Sequence, residues 1–186
     1  FLKLKPKSFI QIGSSLEYGK ANSPQRENVK SKPISVYAKS KYLSTKYLLS
    51  IYKKNNFPVT VLRLYQAYGP GQDLNRLIPI VINSCLKKEK FPCSEGKQFR
   101  DFIYVTDVIS AIMKSLQSTK AKGQIINVGS GKAINIKNLI KKIVKLTKGG
   151  KPQYGKIKLR KEEAIQIFPS IAKAKKLLKW RPKVTL

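Results

Sequence analysis

Ser8-Phe9-Ile10-Gln11-Ile12-Gly13, running into Ser14-Ser15, reads as a short strand that ends in a polar turn. Downstream, residues 22–33 are polar and proline-bearing, hence a loop. Residues 35–55 turn helical, with Leu43, Tyr47, Leu48 and Ile51 on one face. Phe57-Pro58 stops that helix, because proline lacks the amide that a further turn needs. Val59-Thr60-Val61-Leu62 follows as a buried strand, expected to lie beside residues 9–13 and parallel to them. Beyond the turn Tyr68-Gly69-Pro70-Gly71 the alternation continues. A helix is expected over residues 74–88, a strand over 99–105, and a helix N-capped by Asp107 through Leu116. A strand over 124–128 and helices over 136–146 and 171–178 complete the pattern. Strands alternating with helices make the chain α/β with a mainly parallel sheet.

The 186 residues are 41% hydrophobic, enough for a packed core. Lys and Arg number 39 against 9 Asp and Glu, a net charge of +30. Such a balance suits a polyanionic partner. The lysines are spread along the chain rather than gathered in a block, which fits a solvated surface and small anionic ligands such as nucleotides or pyrophosphates. Basic strands interleaved with stacking aromatics are not visible, so no nucleic-acid partner is expected. Histidine is absent, which removes His-based acid/base work, Ser-His and Cys-His nucleophiles and His metal sites. Cys85 and Cys93 lack metal-ligand spacing and read as structural thiols, so no metal is expected. No apolar run reaches the roughly 18 residues of a membrane span, and no signal peptide shows, so no membrane partner is expected and cytoplasm is the default. The chain opens with Phe1 rather than Met, which suggests a fragment. Gly129-Ser130-Gly131-Lys132-Ala133 imitates a phosphate loop, but Ile126 stands in place of the leading Gly and Ala133 in place of Ser or Thr. It reads as a strand-ending turn.

With histidine gone, acid/base chemistry falls to Tyr, Lys, Asp, Glu or Ser. Tyr37-Ala38-Lys39-Ser40-Lys41 sets a phenol and an ammonium four residues apart at a helix start, hence on one face. An ammonium beside a phenol favours the phenolate, which can take a proton from a hydroxyl while hydride leaves the same carbon. In so lysine-rich a chain the spacing recurs, in Tyr42 with Lys46 and in Tyr154 with Lys158. Context selects Tyr37. Ser14-Ser15-Leu16-Glu17-Tyr18-Gly19 precedes it by one loop, and a hydroxyl at the C-terminal end of a strand sits where α/β proteins bind ligands.

Ser14-x-x-x-Tyr18-Gly19, a loop, then Tyr37-x-x-x-Lys41 resembles the extended short-chain dehydrogenases/reductases that act on nucleotide sugars, the NAD-dependent epimerase/dehydratase family. The similarity continues through Arg63-Leu64-Tyr65-Gln66-Ala67-Tyr68-Gly69-Pro70, Arg76-Leu77-Ile78-Pro79, the segment from Gly96 to Val105, Arg160-Lys161-Glu162-Glu163 and the closing helix near Trp180. The resemblance implies that Tyr37 is the acid/base, that Lys41 favours its phenolate and holds the nicotinamide ribose, and that Ser14 binds the reacting hydroxyl. It implies NAD or NADP as cofactor, contacted by Tyr37, Lys41 and Tyr65. It also implies a nucleotide-diphosphate sugar as substrate, contacted by Gln66, Arg76, Arg100, Arg160 and Glu163. Gln66 stands where the family usually has Asn. Arg100 and Arg160 match diphosphate-binding arginines, whose fork donates two parallel hydrogen bonds, with a surface pair to Asp101 as the alternative for Arg100. The implied biology is carbohydrate metabolism, the building of cell-surface polysaccharides, and a homodimer in the full-length form.

The implied fold is the C-terminal part of a Rossmann-like doubly wound parallel sheet plus a smaller α/β substrate-binding lobe. Residues 1–68 would be the remainder of the NAD-binding domain and residues 69–186 mainly the lobe, with some elements returning to the first domain. The family's N-terminal Gly-rich half is expected to be missing, and the isolated chain to be inactive without it. Family dehydratases carry Asp and Glu directly after the hydroxyl residue. Here Ser15 and Leu16 stand there, with Glu17 displaced by one. An epimerase or 4-keto reductase is therefore favoured over a 4,6-dehydratase. The alternative is an inactive or partner-dependent fragment of such an enzyme.

Overall fold

A computed structural model of the chain describes residues 4–159 and 163–186. Strand β1 (Phe9–Ser14) leads through a 3-10 turn, Ser15–Tyr18, and a long loop into helix α1 (Val36–Asn55). The Ser35 hydroxyl caps α1 by accepting from Ala38 N at 3.2 Å, and Asn56 ends it in the left-handed conformation before Pro58. Strand β2 (Val59–Leu64) then pairs with β1 in parallel over six residues, Phe9 opposite Val59 through Ser14 opposite Leu64. This is the pairing expected from the sequence.

The chain continues through β3 (Gln66–Tyr68), α2 (Leu77–Leu86), β4 (Lys90–Pro92), β5 (Phe99–Arg100), β6 (Phe102–Tyr104) and α3 (Val105–Gln117). It closes with β7 (Ile125–Val128), β8 (Ile134–Asn135), α4 (Ile136–Thr147), β9 (Lys151–Gln153), β10 (Gln166–Ile167) and α5 (Ala172–Leu178). Strand β7 adds to β2 in parallel, giving the main sheet the order β1-β2-β7. Alternation along the strands buries both faces. Phe9, Val59 and Val61 pack under Leu48, Leu49 and Tyr52 of α1. On the other face Ile10, Ile12, Leu62 and Leu64 meet Val108 of α3 and Leu178 and Trp180 at the end of the chain. The result is a three-layer α/β/α arrangement of Rossmann type. A second core joins α2 to α4 through Val81, Cys85, Leu139, Ile140 and Ile143, with Phe91 and Phe102, and makes the smaller lobe. Both cysteines are free and buried there.

Three expectations need correction. The first is the missing N-terminal half. Residues 9–55 form a well-packed β–α unit of Rossmann type that β2 completes as a parallel β–α–β motif. The expected inactivity of the chain loses that premise. Second, the strand over residues 99–105 is broken at Asp101. Strand β5 pairs with β10 and β8, whereas β6 pairs with β3, because the buried Asp101 leaves the strand to bind another loop. Third, Asp107 does not cap α3. It lies in the helix's first turn, where its carboxylate accepts from Lys183 N and Val184 N and ties down the chain's end. Among the described residues no helix is long and apolar enough to cross a membrane.

Candidate active site

The C-terminal end of β1 organises the site. Ser14 ends the strand and caps the 3-10 turn, its Oγ accepting from Leu16 N at 3.2 Å. Facing it, Lys41 reaches back from α1 and donates from Nζ to the Ile12 carbonyl at 3.1 Å. The same ammonium lies 5.8 Å from the centre of the Tyr37 ring, one helical turn away. Tyr37 itself is 54% exposed. Tyr42 and Lys46 show the same 5.8 Å geometry, so local spacing does not distinguish the two pairs. Only Lys41 of the two ammoniums is bonded to the end of a sheet strand. The third tyrosine, Tyr154, takes its cation from Lys137, at 4.8 Å, rather than from Lys158.

Two adjoining clefts, of about 610 Å³ and about 620 Å³, open beside this strand end. Gln66, Arg100 and Glu163 line both, and Arg76 lines the first along with Leu16 and Ser35. Arg100 and Glu163 meet at the waist between them, Nη2 to Oε1 at 2.5 Å. Arg100 Nη1 also donates to the carbonyls of Phe99 and Ile165. Burial pulls the guanidinium below its ordinary value, and Glu163 opposes that pull. The pairing partner is therefore Glu163, not the neighbouring Asp101. Arg160 lies outside the described residues. Tyr65 is not brought to the clefts. It is buried, its hydroxyl donates to Gln25 Oε1 at 2.8 Å, and burial raises its phenol well above the usual range.

The glycine-bearing turn after β7 holds an anion that belongs to the protein. The Asp101 carboxylate accepts from the amides of Ser130, Gly131 and Lys132 and from the Ser130 hydroxyl. Burial pushes this carboxyl up, while the bonds from Ser130, Gly131 and Lys132 favour its ionised form. An external phosphate would find these donors engaged.

One buried polar cluster behind the site escaped the sequence reading. Glu17 and Arg63 form a fully buried ion pair, Oε2 to Nη2 at 2.8 Å, while Oε1 of Glu17 accepts from Ser14 N at 2.9 Å. The guanidinium also sits 4.3 Å from the Tyr18 ring centre, and Tyr18 donates to Asn127 Oδ1. Asn127 in turn donates to the Gln25 carbonyl. The signal was an arginine inside the otherwise apolar strand Val59-Thr60-Val61-Leu62-Arg63-Leu64, which demands a buried anion in a chain with nine acids.

A nicotinamide cofactor fits this arrangement at its ribose end. Lys41 keeps two of its three donors free of the Ile12 carbonyl, and the Tyr37 ring lies 5.8 Å from its ammonium. Residues 1–129 match the NAD dependent epimerase/dehydratase family. The chain is 32% identical over 183 residues to a putative UDP-glucose 4-epimerase of Methanocaldococcus jannaschii, covering 96% of this chain and 58% of that protein. It is 34% identical over 185 residues to the dTDP-4-dehydro-6-deoxyglucose reductase of Escherichia coli, covering 96% and 57%. The dTDP-glucose 4,6-dehydratase of Bacillus anthracis, solved with NAD, superposes with a TM-score of 0.87 at 27% identity, covering 99% of this chain and 60% of that one. The chain thus spans about three fifths of the length of these relatives. With its β–α–β sheet and its Tyr37–Lys41 helix at a strand end, it belongs to the NAD dependent epimerase/dehydratase family.

Proposed function

We propose that this chain modifies a nucleotide-diphosphate sugar with NAD or NADP, as an epimerase or a 4-keto reductase, using Tyr37 as acid/base, in the cytoplasm. The observation that carries the reading is Lys41, whose ammonium joins the end of β1 to the Tyr37 ring at the edge of a cleft lined by Gln66, Arg76 and Arg100. The main sheet with α1 serves the cofactor. The lobe built mainly from residues 69–186 serves the sugar nucleotide, although β7, α3 and α5 of that stretch pack with the first sheet. A homodimer fits the exposed Val36, Leu43 and Tyr47 along one side of α1, and light scattering tests it.

Tyr37, as phenolate, takes the proton of the sugar hydroxyl, and the C–H electron pair leaves the same carbon as hydride. The nicotinamide, when bound, supplies the acceptor for that hydride and returns it. Lys41 stabilises the phenolate, and the proton stays on the Tyr37 oxygen until the carbonyl is reduced again. Ser14 Oγ accepts one bond and donates none among the described residues, so its proton is available to the sugar oxygen. Leu16 lines the cleft and Glu17 is turned into the core, so neither stands as a second acid/base for elimination. This supports epimerase or reductase over dehydratase.

The test is turnover of UDP-glucose with NAD and reduction of a dTDP-4-keto sugar with NADPH. Tyr37→Phe is expected to lose about two to four orders of magnitude, the usual worth of acid/base catalysis. Tyr42→Phe and Tyr154→Phe are expected to lose little. Near-normal turnover by Tyr37→Phe, or inactivity of Tyr42→Phe, overturns the assignment.

A further inference from the structure

The pair Glu17–Arg63 is sealed from solvent, yet its carboxylate is bonded to the backbone of Ser14. Glu17 Oε2 takes two bonds from Arg63, at 3.0 Å from Nε and 2.8 Å from Nη2. Its other oxygen takes the Ser14 amide at 2.9 Å. Arg63 stands opposite Gly13 in the β1–β2 register. A side chain on Gly13 would place its first carbon 2.6 Å from Glu17 Oε1, so the missing side chain leaves the carboxylate its place beneath Ser14. The sheet does not need these charges. The same face of β2 carries Val59 and Val61, and a buried ion pair replaced by apolar residues of like size is often neutral or stabilising. What the pair adds is a fixed backbone at Ser14, held extended at φ −141° and ψ 144°, with its hydroxyl oxygen engaged by Leu16 N and its proton without an acceptor among the described residues.

We propose that Glu17 and Arg63 are positioning residues that aim the Ser14 hydroxyl at the reacting sugar oxygen. This rests on the reading of Ser14 given above. The pair acts only through Ser14. It sets the direction of one donor, while the nucleotide is held elsewhere, along Gln66 and Arg100. A residue that merely stabilised the fold would lower the affinity for nucleotide and sugar nucleotide together. A pair that aims Ser14 lowers only the part of the affinity that the sugar contributes.

The experiment measures, by calorimetry on the full chain, the ratio of Kd for UDP to Kd for UDP-glucose, and the same ratio for dTDP and dTDP-glucose. The variants are Ser14→Ala, the apolar double variant Glu17→Val with Arg63→Leu, and the triple combination. The double variant leaves no uncompensated charge and is expected to fold, which its thermal melt shows. Each of the first two is expected to lower the ratio about tenfold, and the triple variant to lower it no further than Ser14→Ala alone. Multiplicative losses in the triple variant, or an unchanged ratio in a folded double variant, overturn the positioning role while leaving Ser14 in place. A ratio that Ser14→Ala does not change, or wild-type protein that binds neither sugar nucleotide more tightly than its bare nucleotide, overturns the underlying reading and the proposal with it.

Discussion

Arg63 and Glu17 meet with 2% and 0% of their side chains exposed, whereas Arg100 and Glu163 meet with 7% and 30% exposed. The two pairs are chemically alike and both join distant parts of the chain. In the first, both carboxylate oxygens are engaged by protein donors, and neither side chain lines either of the two clefts. In the second, both partners line the clefts, and the carboxylate reaches partway into solvent. The diphosphate proposed above would reach Arg100 by sharing or displacing Glu163, whereas nothing can enter between Glu17 and Arg63. Burial, rather than charge, separates an architectural pair from one that can exchange partners.

The largest expected effect breaks the sealed pair on one side only. Arg63→Leu leaves Glu17 as an uncompensated buried anion and should cost about 3–5 kcal/mol, read from urea unfolding. Adding Glu17→Val should restore most of it. A cost in the single variant no larger than that of Arg100→Ala would erase the distinction between the two pairs. Next comes Arg100→Ala, which should weaken UDP binding by about 1.5–3 kcal/mol, the range of a charge-assisted hydrogen bond. Wild-type affinity should fall with added salt more steeply than the variant's, because salt screens the longer-range attraction of an incoming anion to the cation at the cleft. An unchanged Kd would remove Arg100 from diphosphate recognition. Third, Gly13→Ala crowds Glu17 Oε1 and should cost about 1–3 kcal/mol by overpacking. The same substitution should be nearly neutral in the Glu17→Val with Arg63→Leu background, where the carboxylate is gone.

The smallest effect concerns another buried carboxyl, Asp101, and sharpens what burial does to a charge. Burial raises its folded-state value above the ordinary one of 3.8, so the folded protein holds the proton more tightly than the unfolded chain. The stability that follows is fully present below 3.8 and is lost as pH rises through the raised value. Unfolding free energies measured from about pH 4 upward should therefore fall more in wild type than in Asp101→Asn. The variant should also start lower, because an amide NH₂ would face the amides of Gly131 and Lys132. Parallel pH profiles for the two proteins would show that the bonds to the loop fully offset burial.

How far these features were legible in the sequence depends on how far apart their partners lie. Tyr37 and Lys41 are four residues apart on one helix, and the helical repeat alone puts them together. The strand pairing of β1 with β2 was legible for a similar reason, since two apolar runs joined by one helix have one short way to lie side by side. The break at Asp101 was not. The run Phe99 to Val105 alternates as a strand should, and its partner loop lies 29 to 31 residues away. Asp107 misled in the same way, because a first-turn acid reads as a helix cap until the chain's end, 76 and 77 residues on, is seen to take its oxygens.

By itself, then, the sequence determined what one element can settle alone: the course of α1 between β1 and β2, and that a phenol and an ammonium share a helix turn beside a strand-ending serine, whereas Leu43 and Tyr47, read with Leu48 and Ile51 as the apolar face of α1, stand exposed. Tertiary structure decided the partners of the charges. Glu17 found Arg63 across 46 residues, and Arg100 took Glu163 rather than Asp101 across 63. The physical reason is that side-chain periodicity is fixed by local backbone geometry, whereas a buried charge is satisfied by whichever counter-ion the packing of distant elements brings within hydrogen-bond reach.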